Sequence, residues 1–153
     1  LPSRDNKYNN SSVNTSEFEV PAAASDKSPI LLVDDNEINL KLLVTFMKKA
    51  KFSYECATDG LQALQAYKRA SADRDRAFRY ILMDISMPVM DGLAATREIR
   101  EFERKNKIEP RTVIIALTGL ASEMTQNDAL HSGMDYFRVK PVKFKDLLKV
   151  LVR

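Results

Sequence analysis

Cysteine and histidine are almost missing from this sequence: Cys56 and His131 stand alone among 153 residues. A single cysteine excludes an internal disulfide framework and any cysteine-rich zinc site. A single histidine excludes histidine-paired metal centres within the chain. It also counts against a Ser/His/Asp or Cys/His triad, which His131 alone would have to carry. Long apolar runs are missing too, the longest being a handful of residues. No segment of this sequence can therefore span a bilayer, and no N-terminal stretch reads as a signal peptide. The expectation left is a reduced, intracellular, single-domain protein. Its active site, if it has one, must be built mostly from carboxylates, hydroxyls, lysine and backbone.

Net charge is +3, with a pI near 9.0. That balance invites a nucleic-acid role. Yet the basic residues are scattered and interleaved with acids, as in Arg97-Glu98-Ile99-Arg100-Glu101, and basic stretches with aromatics between them are missing. The charge reads as a solvated surface, and no nucleic-acid partner is expected.

Residues 1–27 differ in composition from the rest. Ser, Thr and Asn supply 10 of those 27 positions, and large apolar residues are few and unperiodic. Such a stretch buries too little surface to offset its ordering entropy, so a disordered linker or tail is predicted there. Leu1 is not a natural start, which suggests a fragment of a longer chain. The tail carries −1, leaving +4 on residues 28–153, the predicted domain.

From Ser28 onward, short apolar runs alternate with amphipathic stretches. Ile30–Val33, Tyr80–Met83 and Val113–Leu117 are continuous runs, as suits strands covered on both faces. Phe52–Cys56 and Tyr136–Lys140 alternate, as suits edge strands with one wetter face. Between them, Ile38, Leu42, Leu43, Phe46 and Met47 recur at helical spacing. Leu61, Leu64 and Tyr67 form a second helix face behind the capping pair Asp59 and Gln62. Leu93, Ile99 and Phe102 mark a third after Asp91-Gly92, and Phe144, Leu147, Leu148 and Leu151 a fifth. The fourth, Ala121 to His131, is only weakly amphipathic. Five strand–helix alternations imply a doubly wound parallel α/β sheet with helices on both faces, in the order 2-1-3-4-5.

Each central run ends in a residue capable of chemistry. The first leads into Asp34-Asp35, the third ends at Asp84, the fourth at Thr118, and the fifth at Lys140-Pro141. Open parallel sheets bind ligands at the carboxyl ends of their strands. Singly, an Asp after a strand is usually a turn former or cap, and a lone Lys is solvated surface. Jointly, matching strand ends aim three carboxylates, a hydroxyl and an ammonium at one crevice. Packed carboxylates repel until protonated or neutralised by a cation. Oxygen ligands without His or Cys favour Mg²⁺, with Mn²⁺ also suited. A carboxylate can serve as nucleophile, while Mg²⁺, Lys140 and Thr118 can bind phosphoryl oxygens. This residue set suffices to phosphorylate an aspartate from a high-energy donor.

The segments Leu31-Leu32-Val33-Asp34-Asp35-Asn36, Leu82–Gly92, Ala116-Leu117-Thr118-Gly119 and Val139-Lys140-Pro141 resemble the signature of two-component response-regulator receiver domains. The resemblance covers residues 28–153 and implies a flavodoxin-like fold with five helices. The stretches 116–122 and 132–145 look like the receivers of fungal hybrid sensor histidine kinases. By this resemblance Asp84 is the phosphoacceptor, Asp35 a direct Mg²⁺ ligand, Asp34 its water-mediated neighbour, and the backbone carbonyl of Ser86 a further ligand. Thr118 and Lys140 grip the phosphoryl group, Phe137 is the switch aromatic, and the bond before Pro141 is cis. The resemblance implies phosphoryl transfer from phosphohistidine to Asp84 and remodelling of the face made by helix 4, strand 5 and helix 5. Its partners are a histidine kinase domain or a histidine phosphotransfer protein, in a cytoplasmic setting with the nucleus also open.

The chain ending just after the last helix, behind a linker-like tail, favours a hybrid kinase over a stand-alone regulator. A rival of another class is a Mg²⁺-dependent aspartyl-phosphate phosphatase. Such enzymes resemble this chain in nucleophile, Mg²⁺ and Lys, but usually carry an acid two residues after the nucleophile, where Ser86 stands here. Bland roles compete at several other positions. Asp91 reads as a helix cap, His131 as an exposed helix-end residue, and Met83, Met87 and Met90 as packing. Arg138 stands where the resemblance leads one to expect an apolar side chain.

Overall fold

The computed structural model describes residues 28–119 and 122–151. The predicted tail, 1–27, lies outside these. Five strands alternate with five helices: β1 (Ile30–Val33), α1 (Glu37–Ala50), β2 (Tyr54–Ala57), α2 (Gly60–Ala70), β3 (Tyr80–Asp84), α3 (Gly92–Asn106), β4 (Val113–Thr118), α4 (Glu123–Ser132), β5 (Tyr136–Val139) and α5 (Phe144–Leu151). All pairings are parallel, in the order β2-β1-β3-β4-β5. This is the doubly wound, flavodoxin-like arrangement expected from the alternation.

Burial follows strand position. All four residues of β1 are buried, as is nearly all of β3 and β4, while the edges β2 and β5 are mostly half-exposed. Alternate strand residues feed two cores. One face packs Leu31, Val33, Ile81, Met83 and Ile114 against α2 and α3. The other packs Leu32, Leu82, Ile115 and Leu117 against α1 and α5. Period-2 alternation of side chains makes this division unavoidable in a sheet covered on both sides.

Four helices begin at polar caps. Asn36, Asp59, Asp91 and Ser122 each accept a hydrogen bond from the backbone N–H three residues on, satisfying donors the helix itself leaves orphaned. Gln62 completes the predicted pair by a different route: its Oε1 accepts from the N–H and hydroxyl of Thr58 rather than from Asp59.

The α1 face differs from the sequence reading. Leu43, Met47 and Ala50 are buried, whereas Ile38 is 77% exposed and Leu42 sits at the surface. Ile38 lies in the first helical turn, where helical spacing alone does not bring it into the core. Leu61 is likewise at the surface, while Leu64 and Tyr67 are buried. In α4 only Ala129 and Ser132 are buried, and Met124 and Leu130 point outward. That thin packing explains the weak periodicity seen in its sequence. β2 begins at Tyr54 rather than Phe52; Phe52 instead closes the end of α1, its N–H donating to the Met47 carbonyl.

Candidate functional site

Register assembles the site. Val33 lies beside Met83, and Asp84 beside Leu117, so Asp34 and Asp84 emerge from adjacent strands at one level. Thr118 lies beside Val139, which places Lys140 one residue beyond the last pair. The Lys140 N–H donates to the Thr118 carbonyl at 2.7 Å and holds the two ends together. The Lys140–Pro141 bond is cis, as expected, and so is Glu109–Pro110, which nothing in the sequence reading anticipated.

The Lys140 ammonium lies 3.0 Å from Asp34 Oδ2 and 3.0 Å from Asp84 Oδ1. The second contact is a directed hydrogen bond. The first is an ion pair only, and it leaves the buried Asp34 Oδ2 with no hydrogen-bond donor. Asp34 Oδ1 accepts from the N–H of Asn36 at 2.8 Å. Asp35 is exposed, yet one carboxylate oxygen from each of Asp34, Asp35 and Asp84 lies within 4.8 Å of the others. Three carboxylates thus face one ammonium.

Charge and burial tune both partners. Burial raises the Asp84 carboxyl to about 6, with Asp34 and Asp35 adding to the rise and Lys140 opposing it. Burial pulls the Lys140 ammonium down, but its contacts with Asp34 and Asp84 outweigh this and hold it above the ordinary lysine value. The cluster fits a hard divalent cation. It offers only oxygen, it is short of positive charge, and one buried carboxylate oxygen lacks a hydrogen-bond donor.

The loop after Asp84 is held by two glycines. A Cβ at Gly92 would lie 2.2 Å from the Asp84 carbonyl oxygen, and one at Gly60 2.2 Å from that of Met90. The Gly92 N–H bonds the Ile85 carbonyl and the Gly60 N–H the Met90 carbonyl, at 2.8 and 2.9 Å. Only a residue without a side chain permits these approaches. Between them, the Met90 N–H donates to the Pro88 carbonyl at 2.7 Å across Val89. This is a tight three-residue turn, with Val89 at φ 70°, a sparsely populated setting for a β-branched residue. Nothing in the local sequence marks Gly60 or Val89 for these roles, since both depend on contacts made only in the fold.

The remaining candidates fall as follows. Thr118 is buried at the end of β4, and Ser86 is exposed in the loop after β3. Phe137 is half-buried and packs against the α2/α3 core. Asp91 caps α3, His131 is exposed in the last turn of α4, Met83 is buried, and Met87 and Met90 pack against the core. Arg138 is half-buried, with its guanidinium 5.9 Å from the centre of the Tyr136 ring.

Residues 30–152 match the model of the response regulator receiver domain. The chain belongs to that family. Among relatives, the response regulator mcs4 of Schizosaccharomyces pombe is 38% identical over 135 residues, covering 74% of this chain and 25% of its own length. Among solved structures, the receiver domain of Ssk1 from Saccharomyces cerevisiae, in complex with the histidine phosphotransfer protein Ypd1, is 34% identical. That match has a TM-score of 0.75 and covers 83% of this chain and 88% of the other. The receiver of the Arabidopsis thaliana histidine kinase CKI1, complexed with Mg²⁺, is 32% identical with a TM-score of 0.74, covering 83% and 91%. This receiver chain spans about a quarter of the length of mcs4. Among its described residues no helix is long and apolar enough to cross a membrane.

Proposed function

We propose that this receiver accepts a phosphoryl group on Asp84 from a phosphohistidine of a protein partner and relays a signal through the change that follows. The observation that carries this reading is the cluster itself. A buried aspartate sits at a central strand end, bonded to Lys140 and beside two further carboxylates.

In this reading an Asp84 oxygen attacks phosphorus in line with the departing imidazole nitrogen. The O–P bond forms as the N–P bond breaks, and the nitrogen keeps its electron pair. Asp84 must be ionised to attack, and above about pH 6 it is. Lys140 turns from the carboxylates toward the phosphoryl oxygens, and the Thr118 hydroxyl donates to one of them. Asp34, Asp35, Asp84 and the Ser86 carbonyl would hold Mg²⁺, which would supply charge neutralisation there; Mn²⁺ would suit the same oxygens. Phe137 then turns inward as Thr118 moves, remodelling the face of α4, β5 and α5. The shallow packing of α4 supports it as the element that gives.

The donor is a histidine kinase domain or a histidine phosphotransfer protein, as the Ypd1 complex of the related Ssk1 receiver suggests. For the parent protein, a hybrid kinase is supported by similarity to the CKI1 receiver. A stand-alone response regulator is supported by similarity to the response regulators mcs4 and Ssk1. Domain limits of 28–153, with a linker before them, and a cytoplasmic setting complete the reading.

Intact mass after incubation with acetyl phosphate tests it. One phosphoryl group should add to the wild type only with Mg²⁺ present, and none to Asp84→Asn. A Mg²⁺-dependent adduct that persists in Asp84→Asn would refute the assignment of the acceptor. Turnover of exogenous phosphate esters would favour a phosphatase instead.

A further inference from the structure

A groove of about 650 Å³ opens at the amino end of the sheet. It lies away from the acid cluster, and β3 runs between the two. Tyr80, the first residue of β3, lines the groove, and Asp84, its last, belongs to the cluster. The connections from α2 to β3 and from α3 to β4 form its walls. The Val113 N–H ties them together by donating to the Arg79 carbonyl at 2.9 Å. The floor is aromatic, with Tyr67 and Phe78 buried and Tyr80 half-buried. The rim is basic. Arg74, Arg79, Lys107 and Arg111 are exposed there, and Glu109 is the one acid among the described residues that line it. Arg111 is engaged by Asp135. Arg74 and Lys107 form no ion pair among the described residues. An apolar floor inside a charged rim is the composition of a recognition surface, and its sign selects an anionic occupant.

The chain enters the domain at this groove. Ser28, the first described residue, lines it, and the Ser28 hydroxyl donates to the Asp75 carbonyl at 3.4 Å. The sequence just upstream has the complementary chemistry. Residues 8–26 carry three acids, Glu17, Glu19 and Asp26, and no base. Within residues 1–27 two acids flank an aromatic once, at Glu17-Phe18-Glu19, and Val20 follows. The seven residues from Pro21 to Lys27 can span up to about 25 Å, enough to turn back once onto a groove that begins at Ser28. A segment with too little surface to fold alone can still order against a preformed partner. Tethering makes the encounter intramolecular, so weak contacts suffice.

We propose that the groove binds the segment Glu17–Val20 of the same chain, with Phe18 on the aromatic floor and the two glutamates against the basic rim. The chain that precedes the domain is thereby held at the pole opposite Asp84, where it leaves the strand carboxyl ends clear.

Amide hydrogen exchange of the full chain, read at Glu17–Val20, tests this. Those amides should exchange about tenfold more slowly in the wild type than in R74E/K107E, as suits a weak contact held at high effective concentration. Reversing the segment instead, in E17K/E19K, should remove the protection, and the combined swap E17K/E19K/R74E/K107E should restore it. F18A should remove it without altering any residue of the described domain, so the outcome does not hang on how the groove variants fold. D5K, outside the segment, should match the wild type. Protection that fades on dilution would seat the segment of a second copy in the groove and overturn the proposal. Unprotected exchange of Glu17–Val20 in the wild type would leave the groove to a separate partner and overturn it too. So would protection that survives both R74E/K107E and F18A.

Discussion

The two ends of the sheet each hold a buried cluster of charge, and the clusters are built on opposite rules. At the carboxyl ends of the strands, three carboxylates share one ammonium and Asp34 Oδ2 lacks a hydrogen-bond donor. At the amino ends, Arg100 lies between Glu103 and Asp135, with both ion pairs at 2.8 Å. Arg100 also donates to the carbonyls of Gly133 and Thr112. Arg111 donates to the other Asp135 oxygen, and Asp135 Oδ2 further accepts from the N–H of Ile114. Glu103 Oε2 accepts from the Tyr67 hydroxyl and the Thr112 N–H. Two arginines thus balance two carboxylates, and every carboxylate oxygen has a donor. Burial, and then the Glu103 carboxylate, push the Tyr67 hydroxyl far above its ordinary value, so it remains a donor. A saturated cluster has nothing left to bind and acts as a brace. An unsaturated one keeps its affinity for whatever supplies the missing charge.

Breaking the brace should give the largest effect. Arg100→Ala leaves Glu103 and Asp135 without their shared guanidinium and should destabilise the fold by about 3–5 kcal/mol. Thermal or urea unfolding reads this directly. A loss under 1 kcal/mol would mean the network is solvated and not a brace. The next effect belongs to the other end. Saturating Mg²⁺, at a hundred times its dissociation constant, should stabilise the wild type by about 2.7 kcal/mol. Asp35→Ala should abolish that gain, while Glu101→Ala, on the exposed surface of α3, should retain it. Equal loss in both variants would place the cation elsewhere.

The third effect has the opposite sign to the usual cost of mutating a buried carboxylate. Asp84 is raised in the folded state, chiefly by burial and then by Asp34 and Asp35. A raised carboxyl binds its proton more tightly folded than unfolded. Its contribution is therefore stabilising below about pH 4 and is lost as pH rises through about 6. Without metal at pH 7.5, Asp84→Asn should be more stable than the wild type by about 1 kcal/mol, after allowance for solvent screening and for Lys140. The difference should vanish below pH 4. A destabilised Asn variant at pH 7.5 would mean that the Lys140 contact outweighs the repulsion.

The same contrast decides what the sequence made legible. Asp34, Asp84, Thr118 and Lys140 could be found because each ends a strand whose apolar run marks it, and parallel register does the rest. The alternation of elements fixed the strand order for a similar reason, since burial on both faces marks β1, β3 and β4. Arg100, Glu103 and Asp135 left no comparable mark. They come from a helix interior and a loop, separated by as many as 35 positions, in a sequence where charged residues at helical spacing read as solvated surface. Gly60 was equally silent, since its need for a missing side chain arises from a carbonyl thirty residues away.

The smallest effect sharpens the comparison most. Tyr67→Phe removes one of two donors to Glu103 Oε2, and the Thr112 N–H remains at 2.8 Å. The Tyr67 ring is buried, with its edge toward Phe102 at 6.0 Å, and Phe preserves that packing. The loss should therefore be under about 1 kcal/mol, less than the roughly 1.5–3 kcal/mol of a hydrogen bond to a charged group, because the second donor stays in place. Acetyl phosphate labelling of Asp84 and the stabilisation by Mg²⁺ should both be unchanged. Were the loss instead near that of Arg100→Ala, the network would depend on every donor and lack the redundancy its geometry implies. Were labelling to change, the two ends of the sheet would be coupled, and the basal network would belong to the switch as well as to the fold.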